Sequence, residues 1–260
     1  MLQVSEQQLI AWLAAWIWPF ARISAFVMTA PVIGTKALPR RVRLVFALAL
    51  TSVLAPLTAP AMPAVAVLSG EGLAILIAQA LVGATLGLVL RAVFLVLEFA
   101  GQVVAQQMGL GFASMVDPAS GAQVPVIAQF YIVVGTLFFF AFDGHLQLIQ
   151  LLDDSFRLLP IGTAVPSRDS LDFILQWMGH LLGTGLLLLL PAITALLIVN
   201  LAFGVIARSA PQFNIFSIGF PVMILFGLVS LLLTIGLLTD HVAALFADGF
   251  DAAHQVLVRR

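Results

Sequence analysis

Long apolar runs separated by short polar breaks set the pattern of this chain. A helix crossing the roughly 30 Å hydrocarbon layer needs about 20 apolar residues. Runs of that order extend from Leu9 to Ile33, Leu44 to Leu68, Leu73 to Leu97 and Val124 to Phe142, and two longer ones from Leu171 to Ala207 and Phe213 to Leu238. A short segment, Phe99 to Met108, follows the third run, and a short helix is predicted at His145 to Leu152. None alternates with the period of two that membrane barrel strands require. The pattern predicts an all-α integral membrane protein with about six long apolar helices.

The Leu171–Ala207 run exceeds what a bilayer needs, and Pro191 inside it predicts a kink, because proline removes one backbone hydrogen bond. The run that follows carries Pro221. The two read as a long helical hairpin turning at RSAPQFN, with Arg208, Pro211, Gln212 and Asn214 at the turn. Two small-xxx-small patterns, Gly83/Gly87 and Gly179/Gly183, allow close backbone approach in lipid. They suit packing within the chain and packing against another subunit equally.

Composition sharpens the class. Hydrophobic residues make up 62% of the 260, charged residues 9%, against roughly a quarter charged in soluble domains. A formal net charge of -1 supplies no basic field for nucleic acid. The absence of cysteine excludes disulfides and thiolate metal sites. The basic residues Lys36, Arg40, Arg41 and Arg43 form one dense loop, which the positive-inside rule places in the cytoplasm. By that count Arg208 is also cytoplasmic and the Asp143–Asp172 region external, although Arg259 and Arg260 argue against an external C-terminus. Glu6, with no Lys or Arg, precedes the first run, so a retained helix is expected rather than a signal peptide. Trp12 and Trp16 share one helical face, with Trp18 near, as an interfacial anchor would.

Few residues invite chemistry. Arg22 lies inside the first run and is expected to pair within the bundle, since ionisable groups at membrane depth face protein or water. Arg91 and Glu98 fall on one face near the end of the third run. His145, His180, His241 and His254 are scattered without ligand spacing, and no metal or cofactor site is expected. Asp143 in FDGH reads as a helix N-cap, and Asp153 with Asp154 as a solvated loop face. No nucleophile elbow, phosphate loop or metalloprotease motif occurs, so no enzymatic activity is expected.

One stretch departs from the pattern. QQMGLGFASMVDPASG interrupts the apolar sequence with small residues, methionines and a phenylalanine. Asp117, Pro118 and Gly121 predict a turn. Gly109 and Gly111 make the backbone before it bendable, and Met108, Phe112 and Met115 supply adaptable apolar volume. Irregular backbone at membrane depth is tolerated only inside protein or along a cavity. Two readings remain open on physics alone, a movable plug in a pore and an ordinary inter-helix loop. A secondary transporter with a broken-helix site is a rival from another class.

Three stretches carry a specific resemblance: QMGLGFASMVDPASG, FDGHLQLIQLLDDSFRLLPIG and ARSAPQFNIFSIGFP, together with APVIG and LPRRVRLVFALAL near the start. The chain resembles, over nearly its whole length, the FliR family of flagellar export-apparatus proteins, which is related to the SctT proteins of virulence secretion systems. The resemblance implies a structural subunit of the type III export gate. That subunit assembles with FliP and FliQ partners, contacts FlhB, and passes unfolded flagellar substrates across the inner membrane at the basal body. It implies a FliP-like part over residues 1–170 and a FliQ-like hairpin with a tail over 171–260. It also implies that Gln106, Gln107, Met108, Gly109, Leu110, Gly111, Phe112, Ala113, Ser114 and Met115 form the pore plug.

Overall fold

The computed structural model describes residues 6–35, 38–58, 63, 65–110, 126–162, 165–209 and 219–259. Within them every regular element is a helix: α1 (Glu6–Thr29), α2 (Arg40–Thr58), α3 (Gly70–Gln107), α4 (Val126–Ala141), α5 (Gly144–Leu158), α6 (Arg168–Ser209) and α7 (Phe220–Val258). Among the described residues α2, α3 and Leu189–Ile206 of α6 are long and apolar enough to cross a membrane, with a fourth span if α4 and α5 count as one. Two further apolar stretches among the described residues, Leu13–Thr29 and Phe220–Leu233, lie within longer helices.

Local signals explain the boundaries. The Ser69 hydroxyl accepts the Gly72 N–H at 3.0 Å and starts α3, and the Ser167 hydroxyl accepts the Ser170 N–H at 3.1 Å and starts α6. The segments Leu73–Leu97 and Phe99–Met108 are one helix. Glu98 between them does not break it, being half-buried and accepting the Gln102 side-chain amide at 3.4 Å. Arg40, Arg41 and Arg43 form the first turn of α2 rather than a loop. Asp143 does occupy the N-cap of α5, but in the left-handed region (φ 56°) and without a side-chain cap bond. Its carbonyl accepts the N–H groups of Leu146 and Gln147 instead.

Two compact units form, each from separate stretches of chain. The first comprises Met1–Ala92, Asp143–Met178 and Phe246–Arg260, the second Val93–Phe142 and Gly179–Leu245.

In the first unit α1 packs along α2. On its α3 side the backbones touch. A Cβ on Gly83 would collide with the Arg22 carbonyl, and one on Gly87 with the Thr29 hydroxyl and the Ala30 backbone nitrogen. Trp18 is fully buried while Trp16 is half exposed, so Trp18 is core rather than an interfacial anchor. Two residues along a helix turn the side chain by roughly 200°. Helix α5 continues past Leu152 because Leu148, Leu151, Leu152, Ser155 and Phe156 bury one stripe. Asp153 and Asp154 therefore lie on a helix, not a loop, and Asp153 pairs with Arg157 at 2.7 Å.

Arg22 is the polar centre of this unit. It is 1% exposed. Its Nε and Nη2 donate to Gln79 Oε1 at 2.9 and 2.5 Å. Nη1 donates to the Ser155 carbonyl at 2.6 Å and hydroxyl at 3.3 Å, and Nη2 to the Leu159 carbonyl at 2.8 Å. The guanidinium also lies 4.4 Å from the centre of the Phe156 ring. These partners are neutral. The buried charge is met by the last carbonyls of α5, where the helix dipole is negative, and by Gln79, whose own amide donates to the Gly162 carbonyl at 3.0 Å.

The same unit clasps the start of α6 to the end of α7. The Ser170 hydroxyl lies 3.1 Å from the Val256 carbonyl and 2.8 Å from that of Arg259. Trp177 Nε1 donates to Asp248 at 2.8 Å, and the Arg259 guanidinium stacks 4.1 Å from the Phe173 ring centre. The second hairpin helix thus runs to Val258, well past the apolar limit at Leu238. Its polar final turns are anchored by hydrogen bonds that hydropathy does not register.

In the second unit α3 and α4 approach through glycines the sequence reading did not single out. A Cβ on Gly101 would meet the Ala128 backbone, and one on Gly135 would meet the Leu97 side chain. Phe94 and Phe139 pack edge to face, with centroids 5.7 Å apart.

Candidate functional site: the root of the segment after helix α3

Helix α3 delivers the chain to the expected plug, and its last turns are built for a hard stop. Ala100, Val104, Ala105 and Met108 share a face and enter the core of the second unit. There they meet Ile127 and Tyr131 of α4, Leu189, Ala192 and Leu196 of α6, and Met223 and Leu231 of α7. Gln106 points outward and is exposed; Gln107 is half-buried.

The helix ends in a Schellman motif. Gly109 is left-handed (φ 78°). Its N–H donates to the Gln106 carbonyl at 3.0 Å, and the Leu110 N–H reaches back to the Ala105 carbonyl at 3.0 Å. Leu110 packs against the same core, supplying the hydrophobic contact that accompanies this cap. The Gln107 carbonyl, another acceptor orphaned at a helix end, receives the Asn200 side-chain amide at 3.4 Å. Gly109 therefore works as a helix terminator. The bendable backbone read from its sequence is held here by two backbone hydrogen bonds. A glycine followed by leucine after an apolar-periodic helix is the signature that could have identified this cap from sequence.

Met108 is the C-cap residue and is 1% exposed. Its side chain lies on Gly227 of α7, where an added Cβ would meet the Met108 Cγ, Sδ and Cε atoms. Gly227 was missed in the sequence, and no spacing signal marks it.

Of the expected plug residues, Gln106 to Leu110 are thus placed, and Gly111, Phe112, Ala113, Ser114 and Met115 lie outside the described residues, as does the turn Asp117, Pro118 and Gly121. At the hairpin, Arg208 is exposed in the last turn of α6, while Pro211, Gln212 and Asn214 lie outside the described residues. The two small-residue pairs behave differently. Gly83 and Gly87 are filled from within the chain, whereas Gly179 and Gly183 are exposed and a Cβ on either meets nothing within 4 Å. Gly83→Ala is accordingly expected to destabilise the chain by about 1–3 kcal/mol through overpacking. Gly183→Ala, in a helix interior with open space for the methyl, should not lower the melting temperature of the isolated chain and should raise it slightly, and thermal melts of the two variants in detergent check the contrast.

Arg91 is exposed, and among the described residues no group of three His, Asp or Glu side chains gathers to hold a metal.

Comparison with known proteins agrees with the motifs. The family described as "Bacterial export proteins, family 1" matches residues 13–249. The "Flagellar biosynthetic protein FliR" of Escherichia coli (strain K12) is 38% identical over 260 residues, covering 99% of this chain and 98% of the relative. The protein of that name from Pectobacterium carotovorum subsp. carotovorum is 36% identical, covering 100% and 98%. The one from Bacillus subtilis (strain 168) is 28% identical, covering 94% of each. With the likeness running from end to end and including the segment that α3 delivers, this chain belongs to the FliR family of flagellar export proteins, as a membrane-embedded component of the flagellar export apparatus.

Proposed function

We propose that the chain is a structural, pore-forming subunit of the flagellar type III export gate. It assembles with FliP and FliQ in the inner membrane at the basal body, touches FlhB, and passes unfolded flagellar substrates without chemical turnover of its own. Residues 1–170 serve as the FliP-like part and 171–260 as the FliQ-like hairpin. The segment Gln106–Gly121 closes the pore at rest.

The observation that carries this reading is the construction at the end of α3. A helix apolar enough to span a membrane stops at a rigid cap. The ten residues Gln106–Met115 bear no charge, and two methionines and one phenylalanine stand among small residues. A segment of that composition excludes water and ions and, beyond Leu110, carries only Phe112 and Met115 among small residues. A wide exposed apolar surface also supports assembly. Leu175, Leu182 and Leu186 of α6 are exposed on the side where Gly179 and Gly183 leave open space, which suits a neighbouring helix.

The intact mass of the complex that co-purifies with the chain in gentle detergent tests the assembly. A large hetero-oligomer with one copy of this chain and several copies of two smaller helical proteins is expected. A monomer or homodimer free of partners overturns the assignment.

A further inference from the structure

The first turns of α2 form a cleft against α1. It holds about 190 Å³ and is lined by Ser24 and Met28 of α1 and by Arg40, Arg43, Leu44 and Ala47 of α2. These positions fall on one face of each helix, at i, i+4 on α1 and at i, i+3, i+4, i+7 on α2. The Ser24 hydroxyl turns back to donate to the Ala21 carbonyl at 3.2 Å, which leaves the two guanidiniums as the donors of the lining. Arg43 is half-buried. Its Nη1 reaches the Gly34 carbonyl only at 3.4 Å, and its Nε is buried with no hydrogen-bond partner among the described residues. A donor of a charged group left in that state is costly, so the cleft calls for an acceptor. No acidic side chain lines it, and the sequence holds none between Glu6 and Glu71. Glu6 starts α1, roughly 27 Å along the helix from Ser24. Gly83 packs on Arg22 and Gly87 on Thr29, so α3 runs parallel to α1 and its first-turn Glu71 stands toward the Glu6 end as well. The acceptor that fits is an anion from outside the chain. The rest of the lining says which kind. Helix α2 is apolar enough to cross a membrane and begins at Arg40, so Arg40 and Arg43 stand at headgroup level. Below them Leu44 and Leu48, one turn apart and both exposed, lead toward the hydrocarbon. Cations above an apolar trough match a phosphate ester carrying acyl chains, and guanidinium forks suit phosphate oxygens. A free phosphate would use the cations and leave Met28, Leu44 and Ala47 without a role.

We propose that the cleft between α1 and α2 binds an anionic phospholipid: the phosphate lies between Arg40 and Arg43 and accepts the Arg43 Nε–H, and one acyl chain lies on Met28, Leu44 and Ala47. The proposal needs only that the chain is embedded in a membrane, and it stands apart from the plug reading.

The absence of cysteine allows a single fluorescent label to report the lipid beside it. Leu48→Cys carries a bimane one turn below the cleft, and Leu197→Cys carries one on the exposed face of the α6 span as a reference. The full chain, alone and in the complex that co-purifies with it, is placed in phosphatidylcholine vesicles. A minor share of the lipid is then replaced by phosphatidylglycerol or by phosphatidylcholine, each with brominated acyl chains that quench the label on contact. At Leu48→Cys the anionic lipid should quench at about tenfold lower content than the zwitterionic one, and at Leu197→Cys the two should be equal. Arg40→Gln with Arg43→Gln should abolish the preference while quenching by brominated phosphatidylcholine stays as before, which shows that the helices are still in place. Arg43→Lys should keep part of it, since the charge remains and the fork is lost. Equal quenching by the two lipids at Leu48→Cys in the unsubstituted cleft overturns the proposal without recourse to any arginine variant. A preference that survives the double substitution overturns the site. Loss of the preference on adding inorganic phosphate assigns the cations to a free anion and overturns the lipid. A preference in the isolated chain that vanishes in the complex shows that a partner subunit covers the cleft, and overturns it as a lipid site of the assembled protein.

Discussion

Deleting Gly111–Met115 should leave the export complex assembled and make the membrane that holds it permeable to ions. The deletion starts after Leu110 for a structural reason. Gly109 and Leu110 carry the two hydrogen bonds and the apolar contact that finish α3. A cut beginning at Gly109 would unravel the helix end and confuse a lost plug with a damaged core. The shorter deletion removes the charge-free, methionine- and phenylalanine-bearing segment alone. If the plug holds the open state to roughly 1%, its loss raises the resting conductance by about a hundredfold. Cells carrying the variant are expected to lose membrane potential in a way that requires the partner subunits, and proton or dye flux in vesicles measures it. A tight membrane with the assembled complex verified would remove the plug from the proposed mechanism.

Replacement of Arg22 should have the largest effect on stability. Arg22→Ala withdraws all the donors that serve Gln79 Oε1 and the Leu159 carbonyl. The Ser155 carbonyl keeps the Leu159 N–H at 3.1 Å, so the buried Gln79 Oε1 and the half-buried Leu159 carbonyl are orphaned. The buried acceptor costs about 1–3 kcal/mol, and the half-buried one adds less, before the cavity is counted. Because domains are stable by only about 5–15 kcal/mol, the variant should be scarce in the membrane and absent from the complex. Arg22→Lys should fail to rescue it. Lysine offers three donors on one atom, and the five acceptor contacts here are spread across Gln79 on α3 and the C-terminal end of α5. Membrane abundance by immunoblot and thermal melts of the purified chain check both. A stable, abundant Arg22→Ala chain would show that the network is dispensable.

The same residue separates what can be read along the chain from what cannot. Its position inside an apolar run was enough to predict that it faces protein, because a charge at membrane depth has few other options. That its partners are neutral was not legible. Gln79, Ser155 and Leu159 stand 57, 133 and 137 residues away, and nothing local marks them.

Periodicity and composition determined that the chain is all-helical and apolar, that a long hairpin ends it, and that one uncharged, glycine-bearing segment follows a long helix. These properties depend on hydrophobic transfer and backbone sterics, which act residue by residue. Motifs carried the family further, since several specific stretches occur in one order. Tertiary structure decided the rest. It buried Trp18 beside a half-exposed Trp16, and filled Gly83 and Gly87 from within the chain while leaving Gly179 and Gly183 open. It extended α7 to Val258 through hydrogen bonds to α6. It also seated Met108 on Gly227, more than a hundred residues apart in the chain. A small residue is the same small residue in any sequence window. Whether its open side meets a backbone, a methionine or nothing is set by which helices are brought beside it, and that depends on contacts distant in sequence.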